Sequence, residues 1–463
     1  MVEKTYQRLS FRKLKLRIGS FWLPMVFALF LSLTPRAQEI SLISDEETEQ
    51  LLGDIIRPLF EAAGIKYNRN EIHIVNDPSL NAFVADGNHL FIHTGTILNA
   101  ASPNELAGVI AHETGHIQGG HILRQKLKNQ SMQEVGLVSA ILAGTAAAVS
   151  GRGDVAMAAM LGSQSSMLTN YLRYRTEEER AADEAALGLL AKTGQSPQGM
   201  LTFMKKINKQ NQLSGREESP YFRTHPVTSE RIGFFEQALA QNNYPAESRH
   251  QNAFERVKAK LYAYLAAPQQ TLKKYPPQET STPALYAQSI ALFKQLKFAQ
   301  AQGKIDQLIA REPNNPYFYE LKAQIYLETG KIKPAKENYR KALALMPNSA
   351  LLQISYAQSL LEDAPSAVQA AEAVNLLNKA LISRPNAFAW MLLARAYGET
   401  ENAAGANYAA AEYSYRIGQP EVAREQLKTA RKAGPSRQLS LRIDDLDNRL
   451  KQIAEQKKPF SFV

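Results

Sequence analysis

The sequence predicts an α+β chain that is mostly helical: a first half built on a small sheet, continued as an all-α solenoid of helical repeats. Three observations carry that expectation. Between Glu71 and Leu98, short apolar alternations (EIHIV, then NAFVADGNHLFIHTGTIL) are punctuated by Asp-Pro and Asp-Gly, the pattern of brief strands joined by tight turns. Directly after them, Pro103 to His121 reads as a helix, with Leu106, Val109 and Ile110 as its apolar stripe and no proline from Asn104 onward. Beyond a Pro-rich polar stretch at 266–283, helix-ending prolines recur at Pro313, Pro347 and Pro385, 34 and then 38 residues apart.

At 463 residues the chain has room for two or three domains and a large core. Lys and Arg number 54 against 44 Asp and Glu, but residues 1–37 hold seven of the basic residues and one Glu, so the remainder carries about +4. The basic balance is therefore local and points to no nucleic-acid partner. With no cysteine, structural disulfides, thiol catalysis and thiolate metal ligands are excluded; a metal site must use histidine and carboxylates. Lys4, Arg8, Arg12, Lys13, Lys15 and Arg17 precede a thirteen-residue apolar run, Phe21 to Leu33, as in an export signal. Cleavage after Ala37 is the preferred reading. An uncleaved anchor is the alternative, because Pro35 sits poorly at a small-residue position, although the apolar run is short for a spanning helix. The expected compartment is the periplasm of a Gram-negative bacterium.

In chain order, residues 41–62 alternate acidic and apolar positions as a helix broken around Pro58, a scaffold element. The strands follow, and either Asn81–Ala85 or His89–His93 could offer an edge along which an extended peptide pairs. The helix after them contains His112-Glu113-Thr114-Gly115-His116. Four residues apart on a helix, His112 and His116 share a face and can reach one zinc ion, with Glu113 placed to activate a water; this is peptide-hydrolysing chemistry. His121 is discounted as a ligand, being half a turn out of phase with His112 on a continuous helix; His89 and His93 are discounted less firmly. Val135 to Val149 and the apolar run that ends at Leu161, divided by Arg152 and Asp154, read as a buried hairpin, a membrane-touching element or a mobile lid. Two histidines need a third protein ligand and an open position. Tyr174 to Leu190 supplies it: Glu179 as ligand and Asp183, four residues on, accepting the second ring N–H of His112. Glu177 and Glu178 are expected to be solvated, with Glu178 the runner-up ligand.

The string HETGH, followed 63 residues after its second histidine by ERAAD, resembles the HtpX-like, prenyl-protease type of zinc metallopeptidases, as does Thr224-His225-Pro226 with the later Arg231-Ile232. The resemblance implies a zincin metalloprotease domain with one zinc per chain and Glu179 as third ligand. In exported members with helical repeats it implies His225 as a fourth, inhibitory ligand that displaces the catalytic water. Arg231 is expected to anchor that turn.

Between Pro313 and Pro347, Ala323, Tyr326, Gly330, Ala335, Tyr339 and Ala342 match the small, aromatic and turn positions of a tetratricopeptide repeat. Ala373, Leu377 and Ala380, then Ala423, Leu427 and Ala430 before Pro435, repeat its second helix, and Ser436 to Glu455 reads as a cap. The expected organisation is signal 1–37, metallopeptidase 38–265, linker 266–283 and tetratricopeptide-repeat domain 284–457. Such a solenoid presents a concave surface for protein. The resemblance, which spans essentially the whole chain, implies outer-membrane β-barrel proteins and their assembly machinery as partners, and cleavage of misfolded or stalled ones. The alternative is a non-proteolytic chaperone or scaffold for the same assembly, with zinc mainly structural.

Overall fold

The structure is a computed structural model that describes residues 41–85, 87–121, 175–214, 220–241, 244 and 250–456. The expected signal at 1–37 and the apolar segment 135–161 lie outside them. Among the described residues, no helix is long and apolar enough to cross a membrane.

The chain begins with β1 (Leu42–Ile43) and α1 (Glu46–Ala62). Helix α1 runs unbroken through Pro58, where the sequence suggested a break. Losing one helix bond at a proline costs about 3 kcal/mol. Ile55, Ile56, Leu59 and Phe60 flank it and are wholly or almost wholly buried, and each such side chain contributes roughly 1.5–3 kcal/mol, so packing holds the helix through the defect.

Strands β2 (Ile72–Val75), β3 (Ala82–Ala85) and β4 (His89–His93) complete a four-stranded sheet in the order β1-β2-β4-β3. β3 and β4 form an antiparallel hairpin in which Phe83 faces Phe91, whereas β2 and β4 run parallel. Alternation sorts the faces. Ile74, Leu90, Ile92 and Ala82 are buried, while Phe83, Phe91 and His73 stack on the other face. Because β4 is paired on both sides, His89–His93 offers no edge; among the described residues β3 does.

Helix α2 (Thr94–Asn99) leads into α3 (Pro103–Gln118), the helix that carries HETGH. Next come α4, described over 175–192, α5 (Gln198–Ser214), α6 (Pro220–Thr224) and α7 (Ser229–Gln241). One apolar cluster joins α1, the sheet, α3, α4 and α8 (Gln251–Leu265); a second joins α3 and α5 to Tyr221 and Phe235.

Helix α8 belongs to both halves. Phe254, Val257 and Leu261 enter the first core, and Ala259 and Ala263 enter the first repeat core. The 266–283 stretch, expected as a linker, carries the short α9 (Pro268–Lys274). The repeats follow as α10 (Thr282–Lys294), α11 (Phe298–Arg311), α12 (Pro316–Glu328), α13 (Ile332–Leu345), α14 (Ala350–Leu361), α15 (Ala367–Ser383), α16 (Ala387–Glu399), α17 (Ala403–Arg416), α18 (Pro420–Lys432) and α19 (Arg437–Gln456). Each packs on the next. The small positions predicted to face neighbouring helices, Ala335, Ala342, Ala373, Ala380, Ala423 and Ala430, are fully buried. Three helices rather than two separate Pro385 from Pro435, which accounts for the longer spacing there.

Candidate active site

The site lies where α3 crosses α4. Gly115 makes the crossing possible: a Cβ there would come within 2.7 Å of the Ala182 carbonyl oxygen. With nothing larger in between, the His112 and His116 face of α3 meets the Glu179 and Asp183 face of α4. Both histidines, both carboxylates and Glu113 are buried.

The turn after α6 closes the cluster from above with His225. His116 Nε2 is 3.1 Å from His112 Nε2, and His112 Nε2 is 3.3 Å from His225 Nδ1. Glu179 reaches all three rings, at 3.3 Å from His112 Nε2, 3.3 Å from His116 Nε2 and 2.9 Å from His225 Nδ1. Bonds of about 2.0–2.1 Å to a tetrahedral metal place neighbouring donors roughly 3.3 Å apart. The separations above are of that size, with Glu179 Oε1 facing His116 and His225 and its Oε2 facing His112, and one donor atom from each of the four residues lies within 4.8 Å of the others. The chemistry of the donors agrees with the spacing. Imidazole lone pairs pointed at one another repel unless a cation lies between them, and His112, His116, Glu179 and His225 together can hold a metal ion.

The surrounding groups orient these donors. His112 Nδ1 donates to Asp183 Oδ1 at 2.9 Å, leaving its Nε2 lone pair for the centre. Asp183 is in turn gripped by Arg231, through Nε at 2.6 Å and Nη2 at 2.9 Å. Arg231 also pairs with Glu179 at 2.8 Å and donates to the Pro226 carbonyl at 2.8 Å, so one guanidinium fixes the carboxylates and the His225 turn together. Arg175 donates to the Thr224 carbonyl on the other side of His225. Burial opposes a charge on His112, yet Asp183 and Glu179 overcome it and raise the imidazole to about 9. Burial, helped by the neighbouring Glu179 carboxylate, lifts the Glu113 carboxyl to about 7 against the pull of His116, His112 and Arg231. Glu113 Oε1 lies 3.4 Å from His225 Nε2 and has no hydrogen-bond partner among the described residues.

All the residues singled out in the sequence, His112, Glu113, His116, Glu179, Asp183, His225 and Arg231, meet at this one place. His89 and His93 do not: His89 bonds His73 and His93 bonds Ser79. Glu178 is buried rather than solvated, and it stands outside the donor group. Sequence reasoning missed two neighbours. Tyr221 lays its ring against His225 with centroids 4.7 Å apart, its hydroxyl buried and unpartnered among the described residues. His121 bonds His116.

Residues 46–238 match the model of peptidase family M48. The chain is a metalloendopeptidase. The chain is similar to the beta-barrel assembly-enhancing protease of Escherichia coli O157:H7, 25% identical over 434 residues that cover 91% of this chain and 86% of that one. The chain is also similar to metalloprotease LoiP of Escherichia coli strain K12, 29% identical over 152 residues, 33% of this chain and 56% of that one. Mitochondrial metalloendopeptidase OMA1 of Arabidopsis thaliana is 28% identical over 168 residues, 36% of this chain and 31% of that one. These two match about a third of this chain, whereas the first relative matches along nearly the whole length.

Proposed function

We propose that the chain is a zinc-dependent endopeptidase of the periplasm that cleaves misfolded or stalled outer-membrane proteins, with one zinc held by His112, His116 and Glu179 and latency imposed by His225 as fourth ligand. The observation that carries the reading is the convergence of three imidazole nitrogens and one carboxylate, with donor atoms all within 4.8 Å of one another, beside the buried Glu113. In its terms the catalytic unit is 38–265, the repeats 284–457 hold substrate or assembly partners, and 266–283 joins them. The envelope location and the substrate class rest on the basic and apolar N-terminus and on the name of the full-length relative.

A bound zinc would supply Lewis-acid polarisation of the scissile carbonyl and acidify the attacking water. The protein's own part is positional. Glu113 takes the water's proton on its carboxylate and returns it to the leaving amide nitrogen, a task suited to a carboxyl raised to about 7. Strand β3, at the sheet edge and packed beside α3, can pair with an extended substrate backbone. Asp183 keeps His112 in the tautomer that presents Nε2, and Arg231 neutralises the carboxylates.

His225 fills the fourth donor position, so the turn at 224–226 must move before a water can enter. Replacing His225→Ala is expected to raise cleavage of an unfolded outer-membrane protein at least several-fold with zinc content unchanged. Equal or lower cleavage by the zinc-loaded variant would remove the latency from this reading.

A further inference from the structure

The sequence places His121 off the metal-binding face, and the structure keeps it out of the donor group, yet it touches the site. His116 Nδ1 lies 2.8 Å from His121 Nδ1, with the two rings nearly perpendicular at 77° and centroids 5.0 Å apart. His121 is only 5% exposed. Resting on the metal-site reading above, the geometry points to His121 as the positioning residue that fixes the tautomer and ring orientation of His116.

Proton placement follows from the distances. His116 Nε2 faces His112 Nε2 at 3.1 Å and Glu179 at 3.3 Å, so a metal-binding His116 must present its lone pair there and carry its proton on Nδ1. That proton is donated to His121 Nδ1, and His121 carries its own on Nε2. His112 is served by the anionic Asp183, and His116 by a neutral ring. A neutral acceptor orients the ligand without adding charge to a centre that already holds Glu113 and Glu179.

The local sequence builds this contact. On a continuous helix, position 121 would lie about 140° around the axis from position 116, out of reach. Helix α3 instead ends at Gln118, and Gly120 takes a φ of 62°, in the left-handed region where glycine is favoured. The chain folds back and the His121 ring settles on Gly119, where a Cβ would meet Nε2 at 2.3 Å and two ring carbons at 2.7 Å. The pair Gly119-Gly120 therefore stops the helix and also seats the His121 ring.

Three full-length variants test the assignment through zinc dissociation constants measured by chelator competition, a readout separate from activity. His121→Phe keeps an aromatic ring and removes the acceptor; Gly119→Ala keeps His121 and fills its seat; His121→Asn offers a carbonyl oxygen as substitute acceptor. The first two are expected to weaken zinc binding about 10- to 100-fold, the usual effect of losing a partner that orients a ligand. His121→Asn should stay within about 3-fold of the parent, on the same reasoning. Parental affinity in both His121→Phe and Gly119→Ala would overturn the assignment. So would a His121→Asn variant as weak as His121→Phe, since only packing would then matter. If His121→Phe fails to fold, the contrast between Gly119→Ala and His121→Asn decides the question. A parent protein that binds no zinc overturns the metal-site reading itself, an outcome distinct from the other two.

Discussion

Two groups of buried carboxylates among the described residues are built on opposite principles. The first turn of α1 buries Glu46, Glu47 and Glu49 beside Asp45. Each acid is met by a cation or hydroxyl from elsewhere. Lys260 lies 2.5 Å from Asp45, Arg256 3.0 Å from Glu47, Arg69 2.7 Å from Glu46 and Arg384 2.5 Å from Glu49. Tyr286 and Ser349 complete Glu47 and Glu46 from the repeats. Fixed charges satisfy one another there, and the result is a bolt between the half that carries the candidate active site and the repeat array. In the other group, between α3 and α4, three of the opposing groups are imidazoles whose nitrogens face a common centre. Arg231 neutralises part of the charge from outside, and the centre remains a place for a cation. Burial of acid is common to both; only the second leaves lone pairs converging, and that difference separates a structural ion cluster from a metal centre.

Glu113→Gln breaks the catalytic side of the comparison most severely. Its peptidase activity is expected to fall about 10²- to 10⁴-fold, the usual share of a general base, with zinc content and thermal stability retained. Assay of a zinc-loaded variant checks this, and retention of cellular function by the inactive protein would favour the scaffold reading. On the structural side, Lys260→Met leaves Asp45 and Glu47 without their shared ammonium, and removal of one buried partner costs about 3–5 kcal/mol. Denaturant unfolding should show that loss while zinc affinity stays at the parental value.

A smaller effect sharpens the contrast through pH. Burial first, helped by Asp45, Glu46 and Glu47 and opposed by Lys260, raises the Glu320 carboxyl from 4.5 to about 7. A carboxyl raised in the folded state favours folding when protonated; that contribution is full below about 4.5 and is lost as pH rises through about 7. Glu320→Gln is expected to leave the melting temperature nearly unchanged at acid pH and to raise it by roughly 2–4 °C at slightly alkaline pH. A uniform shift at both would show that the charge on Glu320 is not the cause.

The catalytic centre was the more legible of the two groups. HETGH and ERAAD lie on single helices, where spacing alone fixes which side chains share a face, so His112, His116, Glu179 and Asp183 could be assembled before any fold was known. His225 and Arg231 came only with the family resemblance, since a turn has no periodicity to read. Glu46, Glu47 and Glu49 look in sequence like a solvated helix start, because Ser349 and Arg384 lie some 300 residues away. The helix is not continuous to His121: Gly119 and Gly120 end it, so His121 reaches His116 from outside the donor group. At Pro58 the reverse held, tertiary packing carrying α1 through a residue that locally breaks helices.

The central claim, a single tetrahedral site made of three imidazoles and one carboxylate, is tested most directly by zinc X-ray absorption on the parent and on His225→Ala. The account predicts one zinc per chain with four nitrogen and oxygen donors at about 2.0–2.1 Å, three of them imidazole in the parent and two in the variant. Absence of stoichiometric zinc, or an imidazole count that His225→Ala leaves unchanged, would contradict it.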